Sequence, residues 1–509
     1  MKKARIFNIT SVAVIALLVL SLCVKGGLVN TTDYLHDEKA KGVGGPFESS
    51  NNTSRYVLTE AIVEHNTFLL NKDEAKFASP DVSLYDNKFF SIFMPGVSLI
   101  GVPFYMLGKY FGSPQIVAYL SVTLFGFLTM FLIARVAYKL GANIYAALLA
   151  GFIFLFGTNA LSYSLLYTQH VTSVAFLLIS LLSVLGKRTV VKNSIFGLSA
   201  GVGLLLDIPN VIFLLPIGMY LLSQYINLQK VGESIRVSLN MKFITVLLGL
   251  IPFLVVFAWY NLHTTGSYTK FGQTIGQSSY FAVKDKKQTH AIKVPTQQST
   301  PQALPFKPRA QINGFYTLLM SDERSWLYYS PIVWLGILGI VQLYKSKRKQ
   351  AIANIITGIV LLNILLYSMF GDPWGGWAFG PRYLIPAAAM LCVGLGVAIQ
   401  TYAKRIWFLI PFALTALYSI AVSVLGALTT SAIPPKTEAE HLLNDIPYTY
   451  LYNIQLVAKE KLSSLFYNLF FNDLPGYVYV LLVTGIVVLT STLLYHLAVT
   501  TRERSIGHE

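Results

Sequence analysis

The stretch GDPWGGWAFGPRYLIP, residues 371–386, sets two Trp, four Gly and one Arg between two long apolar runs. Arg382 stands at the start of the following run, where a guanidinium can hold an anionic phosphate through two parallel N–H donors. The glycines let backbone approach a ligand closely. Trp374 and Trp377 offer flat faces to a ligand, or else belong to an interfacial aromatic belt. Asp372 is close enough in sequence to pair with Arg382, which would make the segment a structural clasp. Further polar residues lie between apolar runs elsewhere. Tyr163, Tyr167, Gln169 and His170 fall at one turn, where a lone His is either a hydrogen-bonded structural residue or part of a site. Asp207, in LLLDIPN, must face protein or water rather than lipid, and either points into a cavity or caps the next helix.

The elements that position these residues are membrane spans. The chain has 509 residues, is 54% hydrophobic and 12% charged, and has a mean hydropathy of +0.57, too apolar for a soluble protein. A span needs ~20 apolar residues. About twelve candidates lie near 7–26, 115–136, 143–161, 168–185, 193–206, 209–225, 242–261, 328–344, 351–370, 384–402, 406–427 and 476–498. The first is read as an uncleaved helix rather than a signal peptide, because its apolar run is long and its cleavage pattern poor.

Residues 91–111 are also apolar but are interrupted by Pro95 and Pro103. If they lie at the outer interface, every cytoplasmic turn is basic, including KSKRK at 345–349; if they cross, KRTVVK and KSKRK both move outside. The expected threading therefore leaves 91–111 uncrossed and both termini cytoplasmic. It also explains much of the net charge of +16 without nucleic acid.

Five segments follow from this threading: 1–262, a membrane module with a first outer loop at 27–114; 263–327, a partly flexible outer loop; 328–427, a second membrane module carrying the WGGWAFGPRY turn; 428–475, an outer loop; and 476–509, a last helix and cytoplasmic tail. Residues 284–310, rich in Lys, Gln and Pro, read as a mobile loop. Cys23 and Cys392 fall within spans, and no zinc or haem spacing exists.

The first outer loop contains SRYVLTEAIVEHNTF (54–68), which reads as a helix capped by Thr53 or Ser54. Tyr56, Leu58, Ala61, Ile62 and Phe68 form its apolar face, while Arg55, Glu60, Glu64 and His65 stay polar, as in a helix resting on the bilayer. SPDVSLYDNKFFS (79–91) reads as turn-rich and carries Asp81 and Asp86.

Together with YDNKFFSIFMPGVSLIGVPFYMLG, FGTNALSYSLLYTQHVTSVAFL, GLLLDIPNVIFLLP, WYNLHTTGSYTKFG, LYYSPIVWLGILGI and WGGWAFGPRYLIP, in that order, the loop resembles integral-membrane glycosyltransferases of the GT-C type, the superfamily of the dolichyl-phosphate-mannose protein mannosyltransferases. The resemblance covers about residues 1–400, and WGGWAFGPRY is its most distinctive block.

It implies an all-α polytopic membrane protein with a long first outer loop, located in the plasma (inner) membrane. It also implies transfer of a sugar from a polyprenyl-phosphate donor to a lipid, glycan or protein acceptor at the outer face, with an acidic residue of the first loop as base. An acceptor hydroxyl needs a carboxylate within ~3 Å to take its proton. Many relatives have an Asp just before the Arg-Tyr pair, but this chain has Asn51 and Asn52 there. The base is then Asp81, ranked first, or Glu48 or Asp86. Arg382, Arg55, Trp374, Trp377, His170 and Asp207 are the donor-binding candidates. A divalent metal is left open, with no ligand set evident. The competing readings are a lipid or polysaccharide transporter or flippase, and a non-catalytic paralogue. A transporter should carry ionisable groups at mid-membrane, and these spans are nearly free of charge.

Overall fold

The computed structural model describes residues 2–26, 41–231, 234–277, 279–283, 292–297, 306–442 and 446–506. Among them six helices are long and apolar enough to cross a membrane: Pro114–Lys139, Met241–Thr265, Gln350–Ser368, Arg382–Tyr402, Ile406–Leu428 and Gly476–Thr501. Shorter apolar helices, Phe7–Leu22, Ile144–Phe156, His170–Val184, Val190–Leu206, Asn210–Ser223 and Pro331–Tyr344, occupy the other expected span positions. The chain is an all-α polytopic membrane protein. Its core runs along the helix Ile385–Tyr402, buried on every side from Ile385 to Ile399 and packed against Ile144–Phe156, Gly336–Tyr344 and Gln350–Ser368. Met241–Thr265, by contrast, is mostly exposed and lies at the rim beside Val190–Leu206.

The first outer loop departs from its sequence reading. The helix Ser50–His65 begins before Thr53 and Ser54, which are interior residues with no exposure rather than caps. Its N-cap is Ser49, without a side-chain hydrogen bond. Nor does this helix rest on the bilayer, since Asn51 through Thr59 are all buried. Tyr56 sits in an aromatic nest with Phe47, Tyr105, Tyr119 and Tyr167 at centroid distances of 5.0 to 6.1 Å. The polar side of the helix is buried because it finds partners inside the protein. Thr59 Oγ1 shares a 2.8 Å hydrogen bond with Tyr167 OH, and Ser54 Oγ donates to the Asp81 carbonyl at 2.6 Å.

SPDVSLYDNKFFS is a β-hairpin, not an irregular turn: Val82–Tyr85 pairs antiparallel with Lys88–Ser91. Asp86 and Asn87, at φ 50° and 57°, form the two-residue connection that favours left-handed residues. The apolar 91–111 region contains the helix Gly96–Tyr110, with Pro103 inside it, packed on the loop helix and on Pro114–Lys139.

Two more hairpins were not anticipated: Ile226–Val231 with Ser234–Leu239, and Ser279–Val283 with Ile292–Gln297. The second places 292–297 in a strand where a mobile loop was expected; residues 284–291 and 298–305 of that loop lie outside the described residues.

Candidate active site

Six separate segments bring charged and amide side chains together. Asp207 ends the helix Val190–Leu206 and is buried. Its Oδ2 accepts from Gln169 Nε2 at 3.0 Å and its Oδ1 from Gln273 Nε2 at 3.2 Å. Burial pushes its carboxyl above the usual carboxylate range, while the two amides and Arg55 pull it back. Asp81, half-buried ahead of the first hairpin, accepts from Ser50 Oγ at 2.7 Å and from Gln277 Nε2 at 2.8 Å.

Arg55, on the loop helix, is 1% exposed. Its Nη1 donates to the Asn51 carbonyl at 3.0 Å and to Asn51 Oδ1, and its guanidinium stacks 3.8 Å from the centre of the Phe93 ring. Burial lowers it to about 10, opposed by Asp207 and Asp81 and reinforced by Arg382. It therefore stays cationic at neutral pH.

The cluster also holds buried polar atoms without hydrogen-bond partners: Arg55 Nε, Arg382 Nε, His170 Nε2 and Gln169 Oε1. Leaving such an atom unpaired costs about 1–3 kcal/mol, so water or a ligand is needed to meet them. His170, at the start of His170–Val184, has its ring edge-on to Tyr163 at 5.2 Å and to Tyr383 at 6.4 Å. Tyr383 stacks flat on Tyr367 at 4.3 Å.

The WGGW turn is organised by a residue the sequence did not single out. Arg324 is fully buried and donates to the carbonyls of Trp374 at 3.0 Å, Gly376 at 3.3 Å, Ile433 at 2.7 Å and Glu323 at 2.8 Å. Trp377 Nε1 donates to Glu438 Oε2 at 2.6 Å, which ties the turn to the helix Lys436–Leu442, while the Trp374 ring is half-buried. Asp372 does not clasp Arg382: its Oδ1 accepts from Gly375 N at 3.1 Å, and no salt bridge joins the two residues. Gly375, at φ +72°, is required here, because a Cβ would stand 2.8 Å from Arg382 Nε. Arg382 lies 5.3 Å from the centre of the Tyr383 ring, half-exposed at the edge of the cluster.

The other two acidic candidates have different surroundings. Glu48 is buried in an ion pair with Lys25 at 3.5 Å. It accepts from Gly44 N at 2.7 Å, from Ser431 N and Oγ at 2.9 and 2.7 Å, and from Thr430 Oγ1. Every acceptor direction of that carboxylate is in use, which suits a lock between loops better than a base. Asp86 is exposed at the hairpin tip, about 13 Å of strand away from Asp81. Gln273 and Gln277 were not picked out, although their four-residue spacing was a readable signal. Among the described residues no group of three or more His, Cys, Asp and Glu is arranged to hold a metal ion.

No protein-family model and no curated protein matches the chain. Solved structures do. ArnT from Cupriavidus metallidurans in the apo state is 14% identical with a TM-score of 0.49, over 97% of this chain and 76% of that one. The same protein bound to undecaprenyl phosphate is 15% identical with a TM-score of 0.49, over 96% and 77%. The archaeal oligosaccharyltransferase AglB from Archaeoglobus fulgidus, in complex with an inhibitory peptide and a dolichol-phosphate, is 13% identical with a TM-score of 0.47, over 88% and 60%. The chain is similar in fold to both.

Proposed function

We propose that the protein transfers a sugar from a polyprenyl-phosphate donor to an acceptor hydroxyl or amide at the outer membrane face. The observation that carries this reading is the pair of guanidinium groups, Arg55 and Arg382. Each has an unpartnered buried Nε, and neither is in a salt bridge. They lie beside two carboxylates held by neutral amides rather than by cations.

Such a site has charge to give to an anion and a carboxylate free to take a proton. The acceptor's lone pair attacks the anomeric carbon, its proton passes to Asp81, and the bond from that carbon to the phosphate oxygen breaks. The departing phosphate gains negative charge, which Arg55 and Arg382 stabilise in a poorly solvated setting where charge-assisted hydrogen bonds are strong. Asp207, more deeply buried, steadies Arg55 electrostatically and orients Gln169 and Gln273. Gln169 Oε1 and His170 Nε2 are available to sugar hydroxyls.

The test is incubation of the purified protein with radiolabelled polyprenyl-phosphate sugars, wild type beside Asp81→Asn. Transfer from at least one donor, reduced ~100-fold or more in the variant with donor binding retained, is the expected result. Wild-type protein that transfers nothing from any donor overturns the enzymatic reading, and full turnover in Asp81→Asn overturns the choice of base.

A further inference from the structure

Both carboxylates of the site are held from the same short segment, FGQTIGQ at 271–277. Residues Gly272–Ile275 form a single helical turn, closed by Thr274 Oγ1 donating to the Phe271 carbonyl at 2.8 Å. Gln273 lies in that turn, and Gln277 follows it beyond Gly276. The first donates to Asp207 Oδ1 at 3.2 Å and the second to Asp81 Oδ1 at 2.8 Å. Asp207 and Asp81 come from elements far apart in the chain, and this segment connects them.

Its seating is specific. A Cβ on Gly272 would stand 2.7 Å from the Ile92 carbonyl oxygen, so only glycine allows the backbones to touch there. Ile275 is 2% exposed. Gly276, at φ +85°, presents its carbonyl to Ser83 Oγ at 2.7 Å, on the same hairpin that Asp81 precedes.

The chemistry of the contact matters as much as its place. An amide N–H donates to the ionised carboxylate and favours it, yet carries no charge. A Lys or Arg in its place would depress the carboxylate by about 1–3 pH units and make a poor base of it. We propose, on the transfer reading above, that residues 271–277 are a strap whose Gln273 and Gln277 are positioning residues, aiming Asp207 and Asp81 into one site. The other groups that act on Asp207 are Gln169 and Arg55, with Tyr367 and Tyr383 beside it; Asp81 faces Ser50 and acts on Arg55.

The experiment replaces Gln273 and Gln277 singly by Met, which keeps length without a donor, and Gln273 by Asn, which keeps polarity but is one methylene short. Loss of the Gln273 donor to ionised Asp207 pushes that carboxyl further up, so the acid limb of the transfer profile should move up by roughly half to one pH unit in the Gln273 variants. The maximal rate should fall several-fold, with KM for the donor little changed. A second readout does not need turnover: the infrared carboxyl band missing in Asp207→Asn should titrate at higher pH in both Gln273 variants than in wild type. If wild-type protein proves unable to transfer sugar, this titration still decides the strap. Folded Gln273→Met or Gln273→Asn protein whose band titrates as in wild type overturns the proposal. So does an acid limb that stays in place in Gln273→Met, with the maximal rate unchanged in both Met variants, while only melting temperature falls.

Discussion

Replacing Glu48 by Gln separates a lock from a base. In wild type, Oε2 accepts from Gly44 N and Thr430 Oγ1, while Oε1 accepts from Ser431 N and Oγ and faces Lys25 at 3.5 Å. Each oxygen thus meets a backbone N–H that cannot turn away. Whichever way the Gln amide is placed, its NH2 points at one of those donors, so at least one hydrogen bond becomes a donor–donor repulsion.

Lys25 keeps the Thr429 carbonyl at 2.9 Å but loses its counter-charge with its side chain fully buried. Breaking a buried ion pair from one side costs about 3–5 kcal/mol. Glu48→Gln should therefore lose on the order of 3 kcal/mol by denaturant titration in detergent, while each molecule that stays folded keeps nearly its full turnover. Replacing Lys25 by Met and Glu48 by Leu together should cost less than Glu48→Gln alone, because no charge is left stranded. A Glu48→Gln protein with unchanged stability and ~100-fold lower turnover would refute the lock and make Glu48 the base.

Further outcomes follow from other parts of the molecule. Arg382→Lys should weaken polyprenyl-phosphate binding despite the retained charge, because Lys lacks the planar fork, whereas Asp372→Asn should leave it nearly intact; titration calorimetry on the two variants checks both. Burial, with the charges of Glu74 and Glu64 adding to it, pushes Glu60 up to about 8. The folded state then binds more protons than the unfolded one between about pH 4.5 and 8, so this group's contribution to stability falls as pH rises through that window. Glu60→Gln should accordingly flatten the decline, matching wild type near pH 4 and exceeding it at pH 8.5 in thermal melts. Cysteine at position 347 should resist an impermeant thiol reagent applied from outside and react from inside, since KSKRK lies on the basic side of the threading.

Six of the expected spans were legible as helices long and apolar enough to cross, because the bilayer makes one demand of every spanning helix, and that demand is local in sequence. The loop helix Ser50–His65 was misread for the complementary reason. Alternating polar and apolar residues report only that a helix has two kinds of neighbour, and the pattern was read as water against lipid. Here the polar neighbours are protein: Asp81, Ser91 and Tyr167 receive or share hydrogen bonds from Ser54 and Thr59, and the Arg55 carbonyl takes the Ser98 hydroxyl at 2.8 Å.

Amphipathicity cannot distinguish a solvated face from one that lines an interior site. Asp81 was found as a carboxylate because its type is visible, but the glutamines that hold it and Asp207 were not. An amide is common on any polar surface, and its role depends on a partner many residues away. The pair at 273 and 277 differs from such a surface in that each glutamine directly follows a glycine, Gly272 letting backbones touch and Gly276 turning the chain.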